Sequence, residues 1–349
     1  MTAVSFINIT KGCNIHCDRC YLSKQSRSNF SALDESTLLQ FLANPLIRLS
    51  SSPLFVWEGG EVVSTGIERL RILTEVVERV VVNPSQRCVT NLFHLPNKLI
   101  DLSFEKFDGR IETTFSNGGK ESLSGSERNF NNRFKSNSIR ALKEGLALTI
   151  NVELNDHTIR RGIGAFLEVM SGLDGAHWEF DISCDFPEFR KSQSFRNSYP
   201  LIESTASYAE FWKFASDLKE GMDRLGLMQT HGLYSREFHS KSTQFNVNCG
   251  DSFFTLNPDG SVTTNPLYSD IPETMIGNVK RDSWDELLLS DPRVSLINEE
   301  SIRSLECVDC DYFNRCGGGA SHIPVHDNSG ECVGGYNFRK RYDEQFLLD

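Results

Sequence analysis

The chain has 349 residues, 39% hydrophobic and 24% charged, enough apolar material for one large domain or two of ordinary size. Its 36 basic and 47 acidic side chains leave a formal net charge of −11, which argues against a nucleic-acid groove as the main binding surface, since such grooves need clustered Lys and Arg. The opening residues MTAVSFINIT lack the charged-then-apolar pattern of a signal peptide, and no apolar run approaches the ~18 residues of a membrane span, so a cytoplasmic protein without a membrane partner is expected.

In a reducing compartment the ten cysteines read as metal ligands rather than disulfides. A first strand is predicted over Val4–Ile9, and Cys13, Cys17 and Cys20 follow it in KGCNIHCDRCYLS. Three thiolates at C-x3-C-x2-C spacing can hold a cubane iron–sulfur cluster that normally takes four, leaving one iron open for a substrate or cofactor. Taken alone, the same spacing also suits half of a zinc site. His16, inside the triad, reads as a loop residue.

Further along, a helix is predicted over Asp34–Ala43 with Asp34 capping Thr37, then a strand over Leu54–Trp57. That strand runs into Gly59-Gly60-Glu61, where two glycines allow close backbone approach and Glu61 offers an acceptor to an ammonium. Ser64 or Thr65 is expected to cap a helix over Ile67–Val80. Strands follow at Arg87–Leu92, Arg110–Phe115, Leu148–Leu154 and Trp178–Ser183, with helical periodicity at Ser136–Glu144 and Thr158–Ser171. The Ser-, Asn- and Gly-rich stretch Ser116–Asn137 reads as a long loop. The pattern lapses around Asp185–Tyr199 and resumes with a helix over Tyr208–Leu225. Alternating strands and helices predict an α/β core with a parallel sheet.

The cysteine triad and the GGE together resemble the signature of the radical S-adenosylmethionine (SAM) superfamily. The resemblance implies an incomplete (βα)6 barrel, and a [4Fe–4S] cluster on Cys13, Cys17 and Cys20 whose free iron is chelated by the amino and carboxylate groups of SAM. Reductive cleavage of SAM would then give methionine and a 5′-deoxyadenosyl radical that abstracts hydrogen from a substrate. Gly59, Gly60 and Glu61 match the motif that receives the methionine amino group. Ser116 (or Thr114) and Arg133 are the nearest matches to the hydroxyl and basic residue that contact the SAM carboxylate. Arg19 holds a position that is often aromatic in the family and packs on the adenine, and Tyr21 is its expected substitute.

The C-terminal third carries Cys307, Cys310 and Cys316 at C-x2-C-x5-C spacing, then Cys332, a set that could hold zinc or a second [4Fe–4S] cluster. With Cys249-Gly250, LNPDGSV around Gly260 and IGNV near Gly277, this region resembles the SPASM/twitch extension of radical SAM enzymes. Two cysteines of that pattern are replaced, by Asn265 and Ala320. The resemblance therefore implies one auxiliary cluster, on Cys307, Cys310, Cys316 and Cys332, and leaves Cys249 without cysteine partners. Domains are expected at 1–235 and 236–349. Cys88 and Cys184, inside predicted strands, read as buried hydrophobes.

SPASM-type extensions imply a ribosomally made peptide as substrate, to be crosslinked, epimerised or oxidised. The alternative is a small-molecule dehydrogenase or isomerase. With Cys13 so near the start, leader recognition is expected from a separate protein, and electrons from a flavodoxin- or ferredoxin-type donor. The family's sulfatase-maturing members use an Asp where Pro266 stands, which argues against formylglycine formation. His322 and His326 flank the second cysteine set.

Overall fold

A computed structural model describes residues 3–17, 20–116, 120–123, 125–154, 156–182, 206–225, 249–301, 305–318, 325–327 and 329–346. Arg19, Ser183, Cys184, Asp185–Tyr199, Ala320 and His322 lie outside the described residues, as does the Cys249 side chain. Among the described residues no helix is long and apolar enough to cross a membrane.

The strands are β1 (Val4–Thr10), β2 (Ile15–Cys17), β3 (Leu54–Gly59), β4 (Ser85–Cys88), β5 (Arg110–Phe115), β6 (Lys120–Ser122), β7 (Ala147–Leu154), β8 (His177–Ile182), β9 (Phe253–Leu256), β10 (Ser261–Thr263) and β11 (Gly277–Asn278). One sheet runs β11-β10-β9-β1-β3-β4 and another β5-β7-β8, with β2 and β6 forming a separate pair. A parallel bridge between Val89 and Glu112 joins β4 to β5. Six strands, β1, β3, β4, β5, β7 and β8, are thus parallel neighbours in chain order.

The strand sequences show why this sheet is wound one way. RIETTF, ALTINVEL and HWEFDI alternate apolar and polar residues, so one face is greasy and the other is not. The greasy face (Ile7, Phe55, Trp57, Ile111, Ile150, Trp178) forms a single core with Phe41, Leu73, Leu99, Phe134, Phe166 and Trp212 from six different helices. Helices on one face only are the mark of barrel winding, whereas a doubly wound sheet is covered on both. The opposite face is the lumen. It carries a small apolar cluster of Phe6, Leu54, Val56 and Phe253, and beyond it Glu58, Arg87, Glu112, Asn151 and Glu179.

Most of the expected elements are present, and Ile67–Val80, Arg110–Phe115 and Tyr208–Leu225 keep the bounds read from the sequence. The expected loop Ser116–Asn137 is not one. It contains β6 and most of a helix over Glu127–Lys143, capped by Ser126 through the Asn129 N–H at 3.2 Å. Turn-favouring Asn and Ser concealed a buried stripe of Phe130, Phe134, Ser138 and Ala141 at helical spacing. Neither Ser64 nor Thr65 caps Ile67–Val80; both lie in a 3-10 turn over Val62–Thr65, and Gly66 stands at the cap without a side-chain bond. Strand β4 stops at Cys88, short of the expected Leu92, which turns with a positive φ of 54°. The helix over Asp156–Met170 is broken at Gly162. His16 lies on strand β2 rather than in a loop.

Asp34 caps the helix Glu35–Leu42 as expected, its Oδ1 accepting from the Thr37 N–H at 2.7 Å and the Thr37 hydroxyl at 2.8 Å. Hydrogen bonds from Ser36 and the Thr37 backbone hold its carboxyl well below the usual range. A depressed carboxyl stabilises the fold above its unfolded value, about 3.9, and that contribution is lost as pH falls toward the folded value. Asp34→Ala is expected to cost about 1 kcal/mol at neutral pH. In urea melts the gap to wild type should narrow progressively below about pH 4.

Strand β9, from the second expected domain, pairs parallel with β1, so the sheet is continuous between the two units. Trp212 of the Tyr208–Leu225 helix reaches the C-terminal region as well, donating from Nε1 to the Cys332 carbonyl at 3.2 Å and packing on Phe338 with ring centroids 4.9 Å apart.

Candidate active site

The cysteine loop, Gly59-Gly60-Glu61 and Thr90-Asn91 follow the carboxyl ends of β1, β3 and β4, which are adjacent in the sheet. In barrels of parallel strands that end carries the chemistry. The loop is braced from three sides. The Cys13 N–H donates to the Arg27 carbonyl at 3.0 Å, and buried Arg27 returns a bond from Nη1 to the Cys17 carbonyl at 3.2 Å. Strand β2 pairs antiparallel with β6, setting Cys17 opposite Lys120. From the C-terminal region, Asp270 accepts from Lys11 Nζ at 2.9 Å and from the Ser23 N–H at 2.7 Å.

Gly59 and Gly60 are required by this packing. Gly59 has φ 124°, and a β-carbon there would fall well inside contact distance of the Thr10 carbonyl oxygen. A β-carbon on Gly60 would collide with the carbonyl oxygens of both Lys11 and Gly12. The end of β3 thus presses directly on the backbone that leads into Cys13. The close approach expected at these glycines is, first of all, to the chain itself.

Glu61 is buried, and both its oxygens are engaged: Oε1 accepts from the Thr90 hydroxyl at 2.7 Å and the Val63 N–H at 3.2 Å, and Oε2 from the Asn91 N–H at 2.8 Å. Burial pushes its pKa up while these bonds pull it down. Its visible work is to tie the end of β3 to the end of β4. Asn91 received no role from the sequence, and no spacing signal marks it. Its amide nitrogen points at Cys13 Sγ at 3.8 Å and donates to Asn14 Oδ1 at 2.8 Å. Such outer contacts orient a ligand, and losing one commonly costs 10–100-fold in metal affinity. Asn91→Ala is therefore expected to lower N-terminal cluster occupancy or retention by about tenfold or more, read as iron kept after gel filtration with a weak chelator.

Ser116 is buried just past β5, whereas Arg133 is exposed on its helix, its guanidinium 5.7 Å from the Phe93 ring centroid. A further cation beside the cysteine loop, besides Arg27 and Lys11, is Lys120, which is buried and donates to the Thr114 carbonyl at 2.6 Å and hydroxyl at 2.9 Å. It was missed because its strand was read as loop. Tyr21 donates from its hydroxyl to the Gly59 carbonyl at 3.4 Å.

Burial pushes the Cys13 thiol up to about 12, with Cys17 and Glu61 adding to the effect, and burial raises Cys20 as well. Thiols so placed deprotonate when a metal supplies positive charge. Among the described residues no three His, Cys, Asp or Glu side chains converge on a single ion. A cubane takes each thiolate on its own iron and needs no such convergence. Three soft donors on one braced loop, with an amide aimed at one sulfur, fit a cluster.

In the C-terminal set, Cys307 and Cys316 are buried and Cys310 and Cys332 partly so. Gly334 lies between two of them: a β-carbon on it would sit 2.9 Å from Cys316 Sγ and 3.9 Å from Cys332 Sγ. The Tyr312 N–H donates to Cys310 Sγ at 3.4 Å. Burial raises the thiols of Cys316 and Cys332. Cys316 and Cys332, brought to either side of Gly334, are soft donors that suit a cluster. Asn265, which replaces a cysteine of the pattern that this region resembles, is buried, and its Oδ1 caps a 3-10 turn through the Leu267 N–H at 3.0 Å. Cys88 is fully buried in the core, as expected of a small hydrophobe.

No protein-family model and no curated protein sequence matches the chain. Solved structures do. Native anSMEcpe with bound AdoMet and Kp18Cys peptide aligns over 99% of this chain and 96% of that one, with a TM-score of 0.73 at 17% identity. Streptococcus suis SuiB bound to precursor peptide SuiA aligns over 91% of this chain and 72% of that one, with a TM-score of 0.63 at 13% identity. At such identities the likeness is one of fold. The chain shares the fold of these structures, a parallel α/β core of the kind the radical SAM resemblance implies, followed by a further C-terminal region.

Proposed function

We propose that this chain is a radical SAM enzyme, cytoplasmic, that modifies a peptide. The observation that carries the reading is the placement of Cys13, Cys17 and Cys20 on one braced loop, against Gly59-Gly60, at the carboxyl ends of parallel strands. Those three thiolates would hold a [4Fe–4S] cluster, and Cys307, Cys310, Cys316 and Cys332 a second one closed to substrate. The chemistry supplied by the first, with SAM bound, is one-electron reductive cleavage of SAM for hydrogen abstraction. Gly59, Gly60, Ser116, Lys120 and Arg133 are the chain's contacts for SAM, with Glu61 and Asn91 keeping strand ends and Cys13 in register. The Lys11–Asp270 pair holds the loop against the C-terminal region, so the proposed units 1–235 and 236–349 act together.

The peptide reading is supported by peptides bound in two of the structures that share the fold, Kp18Cys and SuiA. Pro266, buried where formylglycine chemistry would want an Asp, favours a different modification. Electrons would come from a flavodoxin- or ferredoxin-type donor. The test is co-expression with short open reading frames beside its gene, read by mass spectrometry. A SAM-dependent mass change in one such peptide is expected. Unmodified peptides with turnover of a sugar or amino acid would overturn the peptide assignment.

A further inference from the structure

The lumen face carries buried polar atoms with no hydrogen-bond partner among the described residues. Asn8 on β1 and Glu58 on β3 are register partners on parallel strands, so their side chains project to the same side. That side is the lumen, because Phe6 and Val56, two positions earlier on each strand, lie in the inner cluster. Asn8 is fully buried, and its amide nitrogen donates to Asn257 Oδ1 at 2.8 Å and Ser269 Oγ at 2.9 Å. Those bonds fix its orientation and leave Oδ1 buried with no partner among the described residues. Glu58 Oε1, on the neighbouring strand, is also buried with no partner among the described residues, and so is the Thr255 hydroxyl on β9, the register partner of Phe6. Buried polar atoms without partners are costly and rare, and several together mark a place where a ligand completes the bonding.

The surroundings say what kind of ligand. The groups facing Glu58 are Glu112 on β5, whose carboxylate is paired at 3.0 Å with Arg87 of β4, and the Tyr21 phenol from the cysteine loop. The one guanidinium among these groups is taken by Glu112, which leaves Glu58 without a cation. Burial, then Glu112, pushes the Glu58 carboxyl up to about 8, so at neutral pH it holds a proton that an incoming cation would displace. Glu58 directly precedes Gly59-Gly60, which places the pair at the same end of the barrel as the cysteines.

We propose that Asn8 Oδ1 and the Glu58 carboxyl form a subsite for an ammonium or guanidinium group of the substrate, such as a lysyl or arginyl side chain of a peptide. Glu58 is a substrate-positioning residue in this scheme. The subsite deepens the peptide reading and rests on it for the identity of the ligand's parent molecule.

The probe is n-butylammonium, with n-butanol as the uncharged control, titrated calorimetrically into anaerobically reconstituted full-length protein. Wild type is expected to bind the amine and not the alcohol, releasing a proton that is read by comparing buffers of different ionisation enthalpy. Glu58→Gln keeps the shape and removes a costly buried ionisable group, so its melting midpoint should not fall. Its binding should weaken at least tenfold, with proton release lost, and Glu58→Asp should restore part of both. No amine binding by wild type, equal binding by Glu58→Gln, or equal binding of the alcohol overturns the subsite. Proton release in wild type decides the matter without any variant should Glu58→Gln misfold. Release of 5′-deoxyadenosine by wild type is scored separately. Its absence with amine binding intact would sink the radical SAM reading alone; its presence without amine binding would sink the subsite alone.

Discussion

Gly60→Ala is expected to deprive the protein of its N-terminal cluster while most of the barrel still folds. The added methyl would collide with two backbone carbonyls, those of Lys11 and Gly12, and backbone cannot rotate aside as a flexible side chain can. The Gly60 N–H also bonds the Thr10 carbonyl at 2.8 Å, so the end of β3 cannot retreat without breaking that bond. Overpacking of this kind costs about 1–3 kcal/mol or more. Relief must come from the segment Thr10–Cys13, which displaces Cys13, the first of the proposed ligands. The measurement is iron and sulfide content after anaerobic reconstitution, alongside far-ultraviolet circular dichroism. The expected outcome is near-native helix content with the N-terminal share of iron lost, about four of about eight atoms per chain. Full iron loading would show that the glycines are dispensable to the loop.

The second large effect separates the two cysteine sets. Cys17→Ala removes one of three cysteines on the loop, and the raised thiols of its neighbours Cys13 and Cys20 keep their protons without a metal. Release of 5′-deoxyadenosine from SAM should fall to background. Cys310→Ala removes one of the four proposed C-terminal ligands, two of which, Cys316 and Cys332, lie on either side of Gly334. That variant should lose the auxiliary cluster and turnover of substrate but retain some uncoupled SAM cleavage. Chromatography of the reaction mixtures checks both. Equal loss of cleavage in the two variants would mean that the sets are not functionally separable.

How much of this was legible beforehand depended on whether the signal was local. The cysteine spacings, the GGE and the strand alternation are local, and they led to the parallel core and to both sulfur sets. The second half of the helix over Glu127–Lys143 was expected at Ser136–Glu144, but its first half was hidden because its surface is Asn, Ser and Arg, and few buried positions declare it. Lys120 and β6 were lost with it, since a three-residue strand has meaning only through its partner β2. Asn91, Asp270 and the unpartnered oxygens of Asn8 and Glu58 depend on contacts between distant segments, which no spacing rule encodes. The glycines were singled out for the right property, close approach, but the neighbour they approach is the chain's own backbone.

The most direct measurement is chromatography of wild-type protein, anaerobically reconstituted, incubated with SAM and a strong reductant. Formation of 5′-deoxyadenosine and methionine, dependent on both reductant and Cys17, is expected. Intact SAM after incubation with protein whose N-terminal cluster is shown to be fully loaded would contradict the assignment.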